Sequence, residues 1–112
     1  MNLFTSNFAR AGRLPDAVSI ARSEPRGWQG KSYKALAPAW DWVKKIKSGE
    51  WTGADYMEAY YGLLVRLDPA KVLEDLGDGA ILLCFCSPKV FCHRRMVAEW
   101  FKVELGLEVP ER

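Results

Sequence analysis

The spacing of apolar residues changes abruptly within the segment from Gly79 to Gly106. Ala80 to Phe85 is a nearly continuous apolar run, which is typical of a strand covered on both faces. From Met96 onward the apolar residues recur at helical spacing, which predicts an amphipathic helix. Between them, Ser87 to Arg94 is dense in reactive and basic side chains. A strand that enters a helix through such a loop presents free backbone N–H groups and a positive dipole end, so it suits an anion.

Two apolar segments near the N-terminus predict further strands. One runs from Asn2 to Ser6 and ends at the polar pair Ser6-Asn7, and the other runs from Ala17 to Ala21 and ends at Arg22. The link from Phe8 to Asp16 is shorter than the dozen or so residues of a usual parallel crossover. The sequence therefore does not establish that these two strands pair directly.

Helical spacing dominates the middle of the chain. The predicted helices run from Ala39 to Lys47 after Pro38, from a capping box of Thr52 and Asp55 onward, and from Asp68-Pro69 to Leu76. Strands separated by helices predict an α/β fold. We expect a single three-layer domain over residues 1–112, with a small, mostly parallel sheet flanked by helices.

Composition narrows the functional classes. Sixteen basic and fourteen acidic residues give a net charge of +2, so no global charge requires a nucleic-acid partner. No stretch approaches the length of a membrane span, and no apolar core of a signal peptide is present. Three cysteines clustered within nine positions do not resemble a secreted disulfide framework. We expect a cytoplasmic protein with reduced thiols and no membrane partner.

The segment from Ser23 to Leu36 is a predicted loop, because prolines and glycines interrupt it. It is also basic and aromatic. Lys31, Tyr33 and Lys34 form either a flap over a ligand or an ordinary solvated loop. Trp28 lies between two glycines, where an indole can stack on a base or sugar.

Ligands of open parallel sheets bind beyond the carboxyl ends of the strands. The predicted strands end at Ser6-Asn7, at Arg22 and at the loop that leads to Arg94. Arginine suits planar, two-point contacts with phosphate or carboxylate, so Arg22 and Arg94 are candidate ligands for an anion. The alternative for each is an ion pair with Glu24, Glu99 or another carboxylate.

Cys92 and His93 are the candidate catalytic residues. A cysteine at a helix start beside cations has a lowered pKa, which favours a reactive thiolate, although a packing or redox role explains the same position. His93 is either a general base or a donor to a backbone carbonyl. Zinc is disfavoured because Cys84 and Cys86 lie on a strand and Cys92 and His93 are adjacent, unlike paired zinc knuckles. We therefore predict no metal and no cofactor.

The chain also resembles a known family. The segments Leu82-Leu83-Cys84-Phe85-Cys86, Phe91-Cys92-His93-Arg94 and Val97-Ala98-Glu99-Trp100 are similar to the end of domain-of-unknown-function family 488, and the stretch around Lys31 to Pro38 resembles its compact branch from bacteria and phages. The resemblance implies an α/β fold and a shared pocket but no general reaction. Cys86 stands where the family usually has a glutamate, which puts the activity of this member in question.

Two hypotheses for function follow. In the first, the protein is a small enzyme whose basic pocket holds a phosphate-bearing or nucleotide-like ligand, bound by Ser6, Asn7, Arg22, Lys31, Tyr33, Lys34 and Arg94, with Cys92 or His93 performing the chemistry. In the second, the same basic surface binds nucleic acid or a protein partner without catalysis. The sequence does not decide between them.

Overall fold

The computed structural model describes residues 2–85 and 93–112. Its strands are β1 (Phe4–Asn7), β2 (Ala17–Ser19), β3 (Lys31–Ser32) and β4 (Ile81–Cys84), all of them parallel, in the order β1-β4-β2-β3. The α-helices of the described part are α1 (Phe8–Ala11), α2 (Trp40–Ser48), α3 (Gly53–Leu64), α4 (Pro69–Leu76) and α5 (His93–Leu105). The predicted α/β class with a small parallel sheet is therefore confirmed.

β4 lies between β1 and β2, so these two N-terminal strands do not pair with each other. Leu82 of β4 is in register with Thr5 on one side and with Val18 on the other. Every residue of β4 is buried, and such an apolar run is most stable in the middle of a sheet with both faces covered. The short link after β1 passes over β4 as α1 rather than returning to an adjacent strand.

The two faces of the sheet carry separate hydrophobic clusters. Leu82 contributes to the larger cluster, which includes buried residues of α3, α4 and α5. Ile81 and Leu83 point the other way and pack with Ala11 of α1, Ala17 and partly buried aromatic rings. Because side chains alternate along a strand, β4 supports both layers at once. The face that α1 covers is the thinner of the two.

Local sequence explains the helix boundaries. The Thr52 hydroxyl accepts from the Asp55 N–H and the Asp55 carboxylate accepts from the Thr52 N–H, which confirms the predicted capping box. Gly49 ends α2 with φ of 81°, a left-handed conformation that glycine adopts without strain. Asp68 caps α4 through the Ala70 N–H, and Pro69 occupies its first turn.

The predicted loop between Ser23 and Leu36 contains regular structure that its sequence does not reveal. Lys31 and Ser32 form β3, a two-residue edge strand that pairs with Val18 and Ser19. A 3₁₀ turn follows from Lys34 to Leu36. Two exposed residues cannot show the alternation that identifies a strand, so only the pairing reveals β3.

The C-terminal segment lies against the outer side of β1. The Thr5 N–H donates to Pro110 O at 3.0 Å, and the Arg112 N–H donates to Thr5 O at 2.7 Å. In residues 2–85 and 93–112, no helix has the length and hydropathy required to span a bilayer. The arrangement leaves the carboxyl ends of β1, β4 and β2 side by side.

Candidate functional site

The carboxyl ends of three adjacent strands define the candidate site. We call it the carboxyl edge, formed by Ser6 and Asn7 at the end of β1, Arg22 after β2, and His93 and Arg94 in the first turn of α5. The α5 helix follows the middle strand, β4, and its first turn contacts Ile20 after β2 and Glu111 of the C-terminal segment that lies along β1. Cys92, the other catalytic candidate, lies outside the described residues.

Arg94 is the most deeply buried charged side chain of the edge, at 1% exposure. Its Nε donates to the two carboxylate oxygens of Glu111 at 3.1 and 3.2 Å, and its Nη2 donates to Oε2 at 2.8 Å. The third nitrogen, Nη1, lies 3.0 Å from Cys84 Sγ at the end of β4. The guanidinium therefore links α5, the middle strand and the C-terminal segment.

Glu111 has the opposite exposure, since its side chain is 33% exposed to solvent. Partial burial alone would raise its pKa, but hydrogen bonds from Arg94 and Thr5 outweigh this effect and hold the pKa of Glu111 below its usual value. The Thr5 hydroxyl donates to Oε1 at 2.6 Å. The carboxylate thus sits in a small receptor made of one guanidinium and one hydroxyl group.

His93 is buried and makes one well-defined hydrogen bond. Its Nε2 lies 2.8 Å from Ile20 O, and since a carbonyl oxygen only accepts, Nε2 must carry the proton. Burial lowers the pKa of His93 from 6.5 to about 4, with a further contribution from nearby Arg94. The ring packs edge-on to Tyr60, with centroids 5.2 Å apart. At neutral pH the imidazole is uncharged and Nδ1 keeps its lone pair.

Ser6 and Asn7 both form hydrogen bonds with backbone groups. The buried Ser6 hydroxyl donates to Arg112 O at 3.3 Å. The Asn7 side chain accepts from the Arg10 N–H at 2.9 Å and caps α1. Asn7 thereby fixes the turn at the end of β1, and Ser6 holds the C-terminal residue against the same strand end.

Arg22 and Lys34 meet at the end of β2. Arg22 donates from Nε to Pro38 O at 2.7 Å and from Nη2 to Ala37 O at 3.4 Å. Lys34 donates from Nζ to Ala21 O at 2.9 Å, and it pairs with Glu24 at 2.6 Å. Hydrogen bonds from Lys34 and Ser32 lower the pKa of the half-buried Glu24 carboxyl.

Lys31, Tyr33 and Lys34 contact three different parts of the molecule. The Tyr33 hydroxyl donates to Asp75 of α4 at 2.7 Å, and burial together with this contact raises the pKa of Tyr33 to about 12. Lys34 is held at the end of β2, as described above. Lys31 lines a groove on the α1 face of the sheet together with Trp28. These three residues, for which the sequence leaves open a flap or a solvated loop, therefore have different surroundings in the structure.

The oxidation state of one cysteine differs from the expectation. We expected reduced thiols, whereas Cys84 is disulfide-bonded in the structure. Sequence spacing cannot exclude such a bond, because residues that are near in sequence can also place their sulfur atoms together in space.

Glu111 is the main site residue that sequence reasoning missed. It lies in a short polar segment with no periodic pattern, and it reaches Arg94 only because that segment runs along β1. Arg13 was also missed, although it lines the same groove as Lys31 and Trp28. No local sequence signal identifies either residue, since both are brought to their places by tertiary contacts.

Comparison with known proteins identifies a family for this chain. Residues 6–105 match a family model described as "Active DUF488-N3 subclade". The matched range includes the whole carboxyl edge but ends before Glu111. The comparisons with curated proteins and with solved structures found no match.

Replacing Glu111 by glutamine should destabilise the protein strongly, because Arg94 would keep a buried charge without its counterion. Breaking such a pair costs about 3 kcal/mol, which corresponds to a fall in Tm of roughly 10 °C for a domain of this size. Thermal and urea unfolding monitored by circular dichroism measure the change.

The matched control is Glu108→Gln in the same C-terminal segment. Glu108 pairs with Lys102 at 3.8 Å and both side chains are largely exposed, so its loss should cost less than about 0.5 kcal/mol. Equal effects of the two substitutions would show that the Arg94–Glu111 pair does not stabilise the fold.

His93 should titrate near pH 4 in the folded protein, well below its usual value of 6.5. The chain has one histidine, so the Cε1–H signal in NMR spectra follows it directly. Between these pH values the unfolded chain binds a proton that the folded protein does not. This residue therefore contributes stability that is fully present above about pH 6.5 and is lost as the pH falls towards 4, by up to about 3 kcal/mol.

The matched variant is His93→Gln, whose amide can still donate to Ile20 O but does not titrate. The difference in unfolding free energy between the two proteins should change with pH only in that window. A folded-state pKa close to 6.5, or a difference that does not vary with pH, would contradict the buried, neutral imidazole.

Proposed function

Since the chain belongs to the DUF488 family, we propose that it binds a phosphate-bearing or nucleotide-like ligand at the carboxyl edge, with Cys92 or His93 acting on that ligand. The description of the matched subclade as active supports catalysis over simple binding. The parallel sheet supports the location, because ligands of open parallel sheets bind beyond the carboxyl ends of the strands.

The observation that carries the proposal is the receptor around the Glu111 carboxylate. Arg94 contacts this carboxylate through two nitrogens, in the geometry with which arginine also binds phosphate. The Thr5 hydroxyl adds a third donor. Glu111 therefore acts as an internal substitute for the anionic group of the ligand.

Exchange between Glu111 and a ligand is physically reasonable. The Arg94 guanidinium contacts Cys84 Sγ in the protein interior. The Glu111 side chain, by contrast, is partly solvated and belongs to the last three residues of the chain, which are exposed. A phosphate that replaced the carboxylate would keep the buried charge compensated, so the net cost of exchange is small. Arg22 and the exposed Arg95 provide further positive charge at the same edge.

In this proposal His93 acts on the ligand as an uncharged hydrogen-bond acceptor. With a pKa of about 4, its imidazole is uncharged at pH 7 and keeps its single proton on Nε2. Its Nδ1 can instead accept a hydrogen bond while the Nε2–H bond to Ile20 O fixes the ring. Cys92 precedes His93 in the chain, and in its reduced form it is the proposed nucleophile, because a thiol at a helix start near cations is readily deprotonated.

Ligand binding should become tighter when Glu111 is replaced by glutamine, even though the same change lowers stability. A neutral amide competes less well for Arg94 than a carboxylate does, so an added anion meets less competition. We would measure the thermal shifts produced by phosphate, pyrophosphate and mononucleotides. A ligand at a hundred times its Kd stabilises by about 2.7 kcal/mol, a shift of several degrees.

Glu108→Gln is again the control, and its ligand-induced shifts should equal those of the wild type. Equal shifts in the wild type and in both variants would show that Glu111 does not occupy the ligand site. No shift with any of these anions in Glu111→Gln would refute the anion-binding proposal. Cys92→Ser then distinguishes an enzyme from a binding module, since only the enzyme loses turnover while retaining the shift.

A further inference from the structure

A second concave surface lies on the α1 face of the sheet. It has a volume of about 920 Å³ and is lined by Phe8 and by residues 12–15 and 25–31. We call it the basic groove. One wall is α1 with the turn that follows it, and the other is the loop that leads into β3. Its volume falls within the range of known ligand sites.

The charges of the basic groove are all positive. Arg13, Arg26 and Lys31 line it, and its lining contains no carboxylate. Within the described part of the chain, none of these three side chains forms an ion pair or a side-chain hydrogen bond. By contrast, the cations Arg94 and Lys34 are both paired with glutamates. Three unpaired cations around one concavity attract an anionic ligand.

Two aromatic rings form part of the groove wall. Trp28 packs edge-on to Phe8, with ring centroids 5.1 Å apart and an interplanar angle of 82°. The indole lies directly on Gly30, where an added Cβ would come within 2.5 Å of Cζ2. The sequence around Trp28 is therefore shaped to seat a large planar ring in the groove wall.

The Trp28 indole also has an unsatisfied donor. Its Nε1 is shielded from solvent and finds no acceptor among the residues that the structure describes. A buried N–H without a partner is costly, and native proteins rarely retain one without a reason. A ligand that places an acceptor beside Nε1, after a small movement of the loop that leads into β3, would remove the cost of this unpaired N–H.

We propose that the basic groove binds single-stranded nucleic acid. The phosphates of the strand contact Arg13, Arg26 and Lys31, and its bases stack on the Trp28 and Phe8 rings. Cations that follow the backbone and aromatic rings that stack with bases are the two features that single-strand binding surfaces share. A duplex does not expose base faces to such rings, and an acidic peptide offers charge without flat surfaces to stack.

The position of the groove would let a bound nucleic-acid strand pass the carboxyl edge. Phe8 follows Asn7 directly, and its ring contacts Phe85, the residue after β4, with centroids 4.7 Å apart. One end of the groove therefore adjoins the end of the middle strand. The inference does not depend on the chemistry proposed there, because the groove has its own cations and its own aromatic wall.

The proposal is tested by measuring the affinity for a fluorescein-labelled oligothymidine of about ten nucleotides by fluorescence anisotropy. Three phosphate contacts predict that log K falls with log salt concentration at a slope of about −2. The triple variant R13Q/R26Q/K31Q should bind at least tenfold more weakly and lose most of this salt dependence. Trp28→Ala should bind roughly tenfold more weakly with an unchanged slope, because it removes stacking and leaves the charges.

The matched control is K44Q/K47Q/R66Q, which removes three exposed cations that do not line the groove. It lowers the net charge equally and should leave affinity within about twofold, given the local character of screened charges. Equal losses in both triple variants would overturn the proposal, since binding would then follow net charge alone.

Competition separates the possible occupants. Unlabelled single-stranded oligonucleotide should displace the probe far better than duplex DNA of the same length or oligoglutamate. Equal displacement by oligoglutamate would identify a site for acidic peptides, and equal displacement by a mononucleotide would identify a nucleotide pocket. Either result, or the absence of binding at low salt, would overturn the inference.

Discussion

The buried guanidinium of Arg94 is the interaction on which the rest of the structure depends. A charge at 1% exposure is tolerated only with a close counterion and satisfied hydrogen bonds, and Glu111 supplies both. Because Glu111 comes from the C-terminal segment, the pair holds that segment against β1. One side chain thereby connects the start of α5, the end of β4 and the outer side of the first strand.

The position of β4 explains why this interaction can form. Its fully apolar sequence places it in the middle of the sheet, so the helix that follows it begins between the ends of β1 and β2. His93 then reaches Ile20 on one side, and Arg94 reaches Glu111 on the other. The chemistry of the carboxyl edge is therefore a consequence of strand order.

Much of the fold follows from local rules, whereas much of the site does not. The capping box at Thr52 and Asp55 and the apolar run of β4 could be predicted because their signals lie within a few residues. The two-residue strand β3 has no such signal. The partner of Arg94 could not be predicted either, since Glu111 reaches it through tertiary structure. The sequence shows a cation and allows an ion pair with a carboxylate, but it does not show which carboxylate lies beside Arg94.

The two basic surfaces differ in whether a protein carboxylate already pairs with their cations. At the carboxyl edge, Arg94 already holds a carboxylate, so a ligand must compete for it. In the basic groove, Arg13, Arg26 and Lys31 have no counterion in the described part of the chain, so an anion can bind directly. Under the two proposals together, a polyanion would be captured at the groove while its reacting group would be selected at the edge.

The most direct test of the carboxyl edge as the ligand site is an amide chemical-shift map. We would titrate ¹⁵N-labelled protein with a mononucleotide and record which backbone signals move. The account predicts the largest changes at Ser6, Asn7, His93, Arg94 and Glu111, which surround the receptor for the carboxylate. Changes confined to other surfaces, with the signals of Arg94 and Glu111 unmoved at saturation, would contradict it.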